Sequence, residues 1–172
     1  MPEPPLPVDD AFADAYQELR RVAHARLRGS GRQRVLDTTA LVHETYLKLS
    51  RGEALAFPDR ARFLVYAGRA MRSIIVDLAR QRRAERHGGE FEHITFTGSL
   101  IDAPGAGEDQ ILRVHEALEE MARVDPRMAQ VVELRYFGGL TDAEVGQALG
   151  VTDRTVRRDW EQARLFLAQA LR

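Results

Sequence analysis

The chain has 172 residues, no cysteine, and 25 Lys+Arg against 26 Asp+Glu, a formal charge of −1. The length fits one domain or two small ones, and 44% hydrophobic with 30% charged residues fits a globular chain that buries a core. This composition excludes a disulfide framework, a cysteine zinc site and a thiol nucleophile, and no apolar run approaches the roughly 20 residues of a membrane span.

Met1–Asp10 is proline-rich and acidic, unlike a signal or transit peptide, so a cytoplasmic location is expected. The first helix is predicted over Asp9–Arg28, with an apolar stripe at Phe12, Ala15/Tyr16, Leu19, Val22/Ala23 and Leu27. Gly29, Ser30 and Gly31 end it. A second helix starts near Asp37/Thr38, buries Leu41, Val42, Thr45, Tyr46 and Leu49, and stops near Gly52. After a break at Ala56–Asp59, with Asp59 as N-cap, a long helix runs from about Arg60 to Arg83. Its apolar stripe is Phe63/Leu64, Ala67, Ala70/Met71, Ile74/Ile75 and Leu78, while Arg69, Arg72, Arg80 and Arg83 gather on another face.

From Gly88 to Gly107 the periodicity collapses into five glycines, Pro104 and a short β-like patch at Phe91, Ile94 and Phe96, which reads as a linker. Two further helices follow. One carries Ile111, Val114/His115, Leu118 and Met121; the other runs from Asp125/Pro126 to about Phe137 and ends at Gly138 and Gly139. The expected fold is all-α: two small helical domains, 1–87 and 108–172, joined by a flexible linker over 88–107.

Charge is unevenly spread along this order. Residues 1–87 carry 16 Lys+Arg and 11 Asp+Glu, residues 88–150 carry 4 and 12, and residues 151–172 carry 5 and 3. Eight arginines lie between Arg60 and Arg86 against only Asp77 and Glu85. Such asymmetry points to a polyanion partner despite the near-neutral total.

The segment Leu140–Trp160 carries the strongest local signal. Thr141 and Glu144 form a capping box, Gly146 is small where two helices approach, and Gly150 supplies a positive-φ turn. Thr152 caps a last helix built on Val156, Trp160, Ala163 and Leu167. This is the pattern of a helix-turn-helix, whose second helix presents its N-terminal residues to the major groove. Arg154, Thr155, Arg157 and Arg158 stand there, placed to reach guanine edges or phosphates.

The second helix reads Asp37-Thr-Thr-Ala-Leu-Val-His-Glu-Thr-Tyr-Leu-Lys-Leu49, and the third includes Phe63-Leu-Val-Tyr-Ala-Gly-Arg-Ala-Met-Arg-Ser-Ile-Ile-Val-Asp-Leu-Ala-Arg80. With the terminal helix-turn-helix, in that order, they resemble bacterial extracytoplasmic-function (ECF) sigma factors from about Asp9 to Leu171. The Thr39–Glu44 wording resembles one subgroup of that family. The resemblance implies a first domain that clamps the β′ coiled coil of core RNA polymerase and melts the −10 element. It implies a last domain that binds the β flap and reads the −35 element. Asp37, Leu41, Val42, Glu44, Tyr46 and Leu47 would then fall on the core-binding helix. Phe57, Arg62, Arg69, Arg72, Ser73, Asp77 and Arg80 would fall on the melting helix and the base-capturing loop before it, and Arg154, Thr155, Arg157, Arg158 and Arg164 would serve the −35 element. Phe63 reads as core, whereas Phe57 stays open between packing and base capture. Glu90, Glu92, Asp102, Glu108 and Asp109 stay open between mimicry of nucleic acid in the polymerase channel and a solvated acidic linker.

Two departures from the family pattern matter. Many members carry Asp-Ala-Glu-Asp at the start of the core-binding helix, where this chain has Asp37-Thr38-Thr39-Ala40. A phosphothreonine brings about −1.5 to −2 charge and is favoured at a helix N-terminus. Phosphorylation of Thr39, or secondarily Thr38, by a Ser/Thr kinase would replace the missing carboxylates, with simple N-capping as the other reading. In the last helix, Asp159 and Gln162 stand where the family is often basic, and Asp159 is expected to repel phosphate.

No enzyme motif is present. His43-Glu44 lacks the second histidine of a zinc protease, since Leu47 stands in its place, and there is no phosphate-binding loop or nucleophile elbow. No cofactor, metal or membrane is expected, nor a sensor domain after the last helix. The implied partners are core RNA polymerase, promoter DNA and a Ser/Thr kinase, with an anti-sigma factor left open. The competing readings are a stand-alone helix-turn-helix regulator and a polymerase-binding adapter.

Overall fold

The computed structural model describes residues 4–27, 38–51, 55–85 and 108–172. It is an all-α arrangement of two helix clusters. The first holds α1 (Val8–Leu27), α2 (Thr38–Ser50) and α3 (Arg60–Glu85); the second holds α4 (Glu108–Val124), α5 (Pro126–Val132), a π-helical turn (Glu133–Phe137), α6 (Asp142–Leu149) and α7 (Asp153–Ala170). Asp37, Gly29–Gly31, Gly52 and the linker segment with Glu90, Glu92 and Asp102 lie outside the described residues.

In α1 the buried stripe is Ala11, Ala15, Leu19, Val22 and Ala23, with Phe12 and Tyr16 half-buried at its edge. Small residues here let α2 and α3 approach closely. Leu41, Val42, Thr45 and Leu49 are the buried side of α2, and the Thr45 hydroxyl donates to the Leu41 carbonyl at 2.8 Å, so its burial leaves no polar group unpaired. Asp59 caps α3 as the sequence suggests, its Oδ1 accepting from the Arg62 amide at 2.8 Å.

A feature the periodicity did not announce is a two-stranded pairing, β1 (Leu6–Pro7) with β2 (Ala56–Phe57), in which Leu6 faces Phe57. The Val8 amide extends it to the Leu55 carbonyl at 3.1 Å. This clip ties the start of α1 to the loop before α3 and turns Phe57 inward.

The C-terminal cluster packs around Val114, Leu118, Met121, Val132, Phe137, Ala163 and Leu167. Each fully buried large apolar side chain contributes about 1.5–3 kcal/mol relative to exposure, and Met121 and Leu167 have no exposed surface. Asp125 caps α5 through the Met128 amide at 3.0 Å, with Pro126 at the first helical position.

The two clusters are docked on one another. Helix α3 buries Phe63, Leu64, Ala67, Ala70, Met71 and Ile75 of the predicted stripe in the N-terminal core, whereas Ile74 is only partly buried and Leu78 is half-exposed, and a second stripe at Gly68, Val76 and Ala79 lies toward the C-terminal cluster. At Gly68 the approach is backbone to backbone: a Cβ there would lie 2.9 Å from the Gly138 amide nitrogen. Val131, Leu134, Leu140, Val145 and Val156 join the N-terminal core, so the apolar interior is continuous across both clusters.

Candidate nucleic-acid interface

Helices α6 and α7 form the helix-turn-helix, and local chemistry fixes their ends. Thr141 Oγ1 accepts from the Glu144 amide at 3.3 Å while Glu144 Oε2 accepts from the Thr141 amide at 2.8 Å, a reciprocal capping box. Gly150 ends α6 at φ 69°, a left-handed conformation that a Cβ resists. A Cβ on Gly146 would lie 2.7 Å from the Val151 carbonyl oxygen, so only glycine lets the turn fold back this tightly. Thr152 Oγ1 accepts from the Thr155 amide at 3.3 Å and starts α7. Val145 and Val156, both fully buried, lock the two helices together.

This geometry leaves Arg154, Arg157 and Arg158 exposed on the first turns of α7, with Thr155 half-buried beside them. Arg157 Nε donates to the Asp153 carbonyl at 3.3 Å, and Arg164, further along, pairs with Glu161 at 3.6 Å. The face is basic, solvent-facing and carried on a rigid helix, which suits phosphate and base-edge contacts.

Asp159 does not face solvent, contrary to the sequence expectation. Its side chain is 2% exposed and accepts from Arg127 Nε at 2.7 Å and Nη2 at 3.3 Å, with Arg158 Nη2 also at 3.3 Å. The pair holds the Arg127 guanidinium above its ordinary range, through the hydrogen bond first and the charge second. Asp159 therefore ties α7 to α5 and steadies the reading helix. On the other side Arg135 stacks 4.5 Å above the Trp160 ring and pairs with Asp142 at 3.0 Å.

The arginines of α3 are differently placed. Arg69 Nε lies 3.4 Å from Glu133, and Arg72 donates from Nη1 to Glu133 at 3.1 Å and from Nη2 to Glu119 at 2.8 Å. The same Nη2 contacts His115 Nδ1 at 2.9 Å; arginine is only a donor, so Nδ1 accepts and the ring is neutral. Burial first, and the Arg72 charge second, hold His115 below its ordinary pKa. Arg60 reaches Glu144 at 3.5 Å as well as Glu18 at 2.9 Å, and Arg83 reaches Asp109 at 3.2 Å. Arg80 lies beside Asp77 at 3.9 Å, while Arg62 is exposed. Ser73 accepts from Lys48 Nζ at 2.7 Å. Phe57 is 3% exposed, edge-on to Phe63 at 5.3 Å and tilted on Tyr66 at 5.4 Å. Of that aromatic cluster Tyr66 is the exposed member.

On α2, Leu41 and Val42 are buried, Glu44 is exposed, Leu47 is half-exposed, and Tyr46 donates to Asp9 at 2.8 Å. A shallow groove lies beside them, lined by Glu44, Lys48, Arg51, Ile74, Asp77 and Leu78. No acid stands in the first turn of α2; Thr39 is exposed, and the Thr38 hydroxyl lies 3.4 Å from His24 Nδ1. Sequence reasoning missed Glu119, Glu133 and Glu144 as partners of the α3 arginines. The available signal was Val76 and Ala79, apolar positions outside the predicted stripe. Among the described residues no group of His, Asp and Glu is arranged to hold a metal ion, and no helix is long and apolar enough to cross a membrane.

A capped helix-turn-helix with three exposed arginines on its reading helix, in one chain with a second arginine-bearing helix, defines a DNA-binding protein of the transcription apparatus. The family model of ECF sigma factors matches residues 8–172, nearly the whole chain, and the chain belongs to that family. Its members are not enzymes, and they generally bind core RNA polymerase. No curated protein and no solved structure shows significant similarity to the chain.

Proposed function

We propose that this chain binds core RNA polymerase as an alternative sigma factor and directs it to specific promoters, within the subgroup marked by the Thr39–Glu44 wording. The observation that carries the reading is the exposed Arg154, Arg157 and Arg158 face of a rigid helix-turn-helix, in a chain matched by the family over residues 8–172. In this reading the C-terminal helices meet the β flap and the −35 duplex. Helix α2 meets the β′ coiled coil through Glu44 and Leu47, while buried Leu41 and Val42 and the Tyr46–Asp9 bond fix its orientation. Helix α3 supplies Arg62, Arg69, Arg72, Ser73 and Arg80 to the melted −10 strand. Extruding a base costs a few kcal/mol of unstacking, which Tyr66, backed by Phe57, offsets by stacking, together with arginine contacts to the strand.

Phosphorylation of Thr39, or secondarily Thr38, regulates assembly. An acid-free first turn with an exposed threonine supports this, since a phosphate there restores charge-assisted contacts to a basic polymerase surface. Thr39 is the better kinase substrate, its neighbour being turned against His24. Reconstitution with core polymerase on a genomic library, scoring new start sites, tests the reading. Specific duplex binding without core-dependent initiation would replace it by a stand-alone regulator, and core binding without initiation by an adapter. Wild-type transcription in cells by a Thr38→Ala/Thr39→Ala double variant would sink the switch alone.

A further inference from the structure

Two guanidiniums converge on one buried carboxylate where α5 meets α7. Asp159 is 2% exposed, whereas Arg127 and Arg158 are 44% and 60% exposed. Asp159 Oδ1 accepts from Arg127 Nη2 at 3.3 Å and from Arg158 Nη2 at 3.3 Å and Nε at 3.4 Å, while Oδ2 accepts from Arg127 Nε at 2.7 Å. The two Nη2 atoms share one acceptor and therefore stand within two hydrogen-bond lengths of each other. One carboxylate offsets one of the two cations, and it is the buried member, so the triad shows solvent its donors and an excess positive charge. Asp125, the other acid that acts on Arg127, is engaged as N-cap of α5, its Oδ1 accepting from the Met128 amide at 3.0 Å.

We infer that Arg127, on α5 and outside the helix-turn-helix, joins Arg158 in a clamp for one phosphate of the duplex backbone. The inference rests on the reading of α7 as a duplex-binding helix and adds to it a contact from a neighbouring helix. A guanidinium carries five N–H donors in a rigid fork. Arg127 and Arg158 each commit the Nε–Nη2 edge to Asp159, which leaves the Nη1 donors and one Nη2 donor of each for a second oxyanion. The paired oxygens of a phosphate match such forks. Because a buried acid holds both side chains before DNA arrives, little rotamer freedom remains to be lost on binding. The placement suits the backbone rather than a base edge. A helix lying in the major groove is flanked by phosphates on either side, and Arg127 reaches the triad from beside α7 rather than from its tip. Arg157 is held otherwise, through Nε on the Asp153 carbonyl, and stays free of the triad.

Fluorescence anisotropy of the full-length chain over a salt series tests the clamp on two duplexes, one of random sequence and one enriched by the chain itself from a random library. Arg127→Gln should lower the slope of log K against log salt by about 0.9 and weaken binding about fivefold to tenfold at 0.1 M salt. The loss should be equal on both duplexes, since a phosphate contact carries no sequence information. Arg127→Lys keeps one phosphate-binding cation and should restore the slope, although its point charge replaces a two-donor grip on Asp159 and lowers Tm. Asp159→Asn loosens α7 but keeps both cations, so it should weaken binding without reducing the slope. Should Arg127→Gln fold poorly over an underpaired acid, Arg127→Gln/Asp159→Asn removes that buried charge, and its slope should lie about 0.9 below that of Asp159→Asn. A wild-type slope in Arg127→Gln, an equal slope loss in Asp159→Asn, or no duplex binding by the wild-type chain would overturn the clamp. None of these readouts needs polymerase, and run-off transcription with core is scored separately. The expected slopes in a chain that never initiates would count against the sigma reading, and initiation with an unchanged Arg127→Gln slope would count against the clamp alone.

Discussion

Asp159→Asn separates two opposed expectations by sign. If Asp159 faced the DNA, removing its charge would relieve repulsion and tighten duplex binding. The structure assigns the opposite outcome, because the carboxylate is 2% exposed and receives Arg127 at 2.7 and 3.3 Å and Arg158 at 3.3 Å. A hydrogen bond to a charged group contributes about 1.5–3 kcal/mol. Asparagine keeps one acceptor oxygen, and the arginines can turn to water, so the loss falls at the low end, about 1.5–2 kcal/mol. For a cooperative unit of this size that is about 3–8 °C in Tm. Asp159→Ala should cost more, since it strips both acceptors. Urea and thermal unfolding measure the first effect. Fluorescence anisotropy with a promoter duplex across a salt series measures the second, where a loosened α7 weakens binding at every salt. Tighter duplex binding by Asp159→Asn at unchanged Tm would refute the reasoning and return Asp159 to the DNA face.

Three other positions carry expectations of their own. Arg157→Ala should lower duplex affinity and reduce the slope of log K against log salt by about one phosphate contact; an unchanged slope would remove it from the contact set. Gly150→Ala meets no atom within 4 Å but must adopt φ near 69°, so it should cost about 1–2 kcal/mol of backbone strain alone, with Gly150→Asn milder in urea unfolding. Docking should weaken on acidification. His115, faced by Arg72 and Arg80 of α3 and by Glu116 and Glu119 of its own helix, has a pKa below its solvated value of 6.5 when buried. Its contribution is therefore full above that value and lost as pH falls toward the lowered one. In a chain with no native cysteine, energy transfer between dyes placed at Gln17→Cys in α1 and Gln169→Cys in α7, both exposed, should drop below about pH 6.5, and His115→Gln should flatten that profile.

Helix boundaries were legible because caps are local chemistry. Asp59, Asp125, Thr141 and Thr152 each declare a start within four residues of sequence, and each accepts the amide that the pattern assigns to it. What escaped was non-local. A single apolar stripe says that a helix is buried on one side, and α3 has two, the second interrupted by Arg72 so that its period is hidden. The inward turn of Asp159 has the same origin. It lies three residues after buried Val156 and four before buried Ala163, on the packed side of α7, yet a carboxylate reads as surface until its partner on α5 is known. Phe57 shows the reverse. Its loop setting left packing and base capture both open, and a two-residue strand pairing that no periodicity can announce turned it inward.

The near-neutral charge takes on a physical meaning in this arrangement. The basic N-terminal segment and the acidic stretch that follows it are not two independent surfaces, because Glu119, Glu133 and Glu144 lie against the arginines of α3. Their opposite charges attract across a partly exposed seam, which salt screens over about 10 Å at 0.1 M. A strongly basic free face would bind any nucleic acid by counterion release, whatever its sequence. The pairs bury Arg72 and engage Arg69, while Arg62 and Arg80 of the same helix stay exposed. The site of the proposed phosphorylation lies elsewhere, at the start of α2, where Thr39 is exposed and the neighbouring Thr38 hydroxyl lies 3.4 Å from His24 Nδ1 of α1, and it shares no residue with this seam. Charge added at Thr39, as proposed, would therefore act at the start of α2 and leave the ion pairs of this seam untouched.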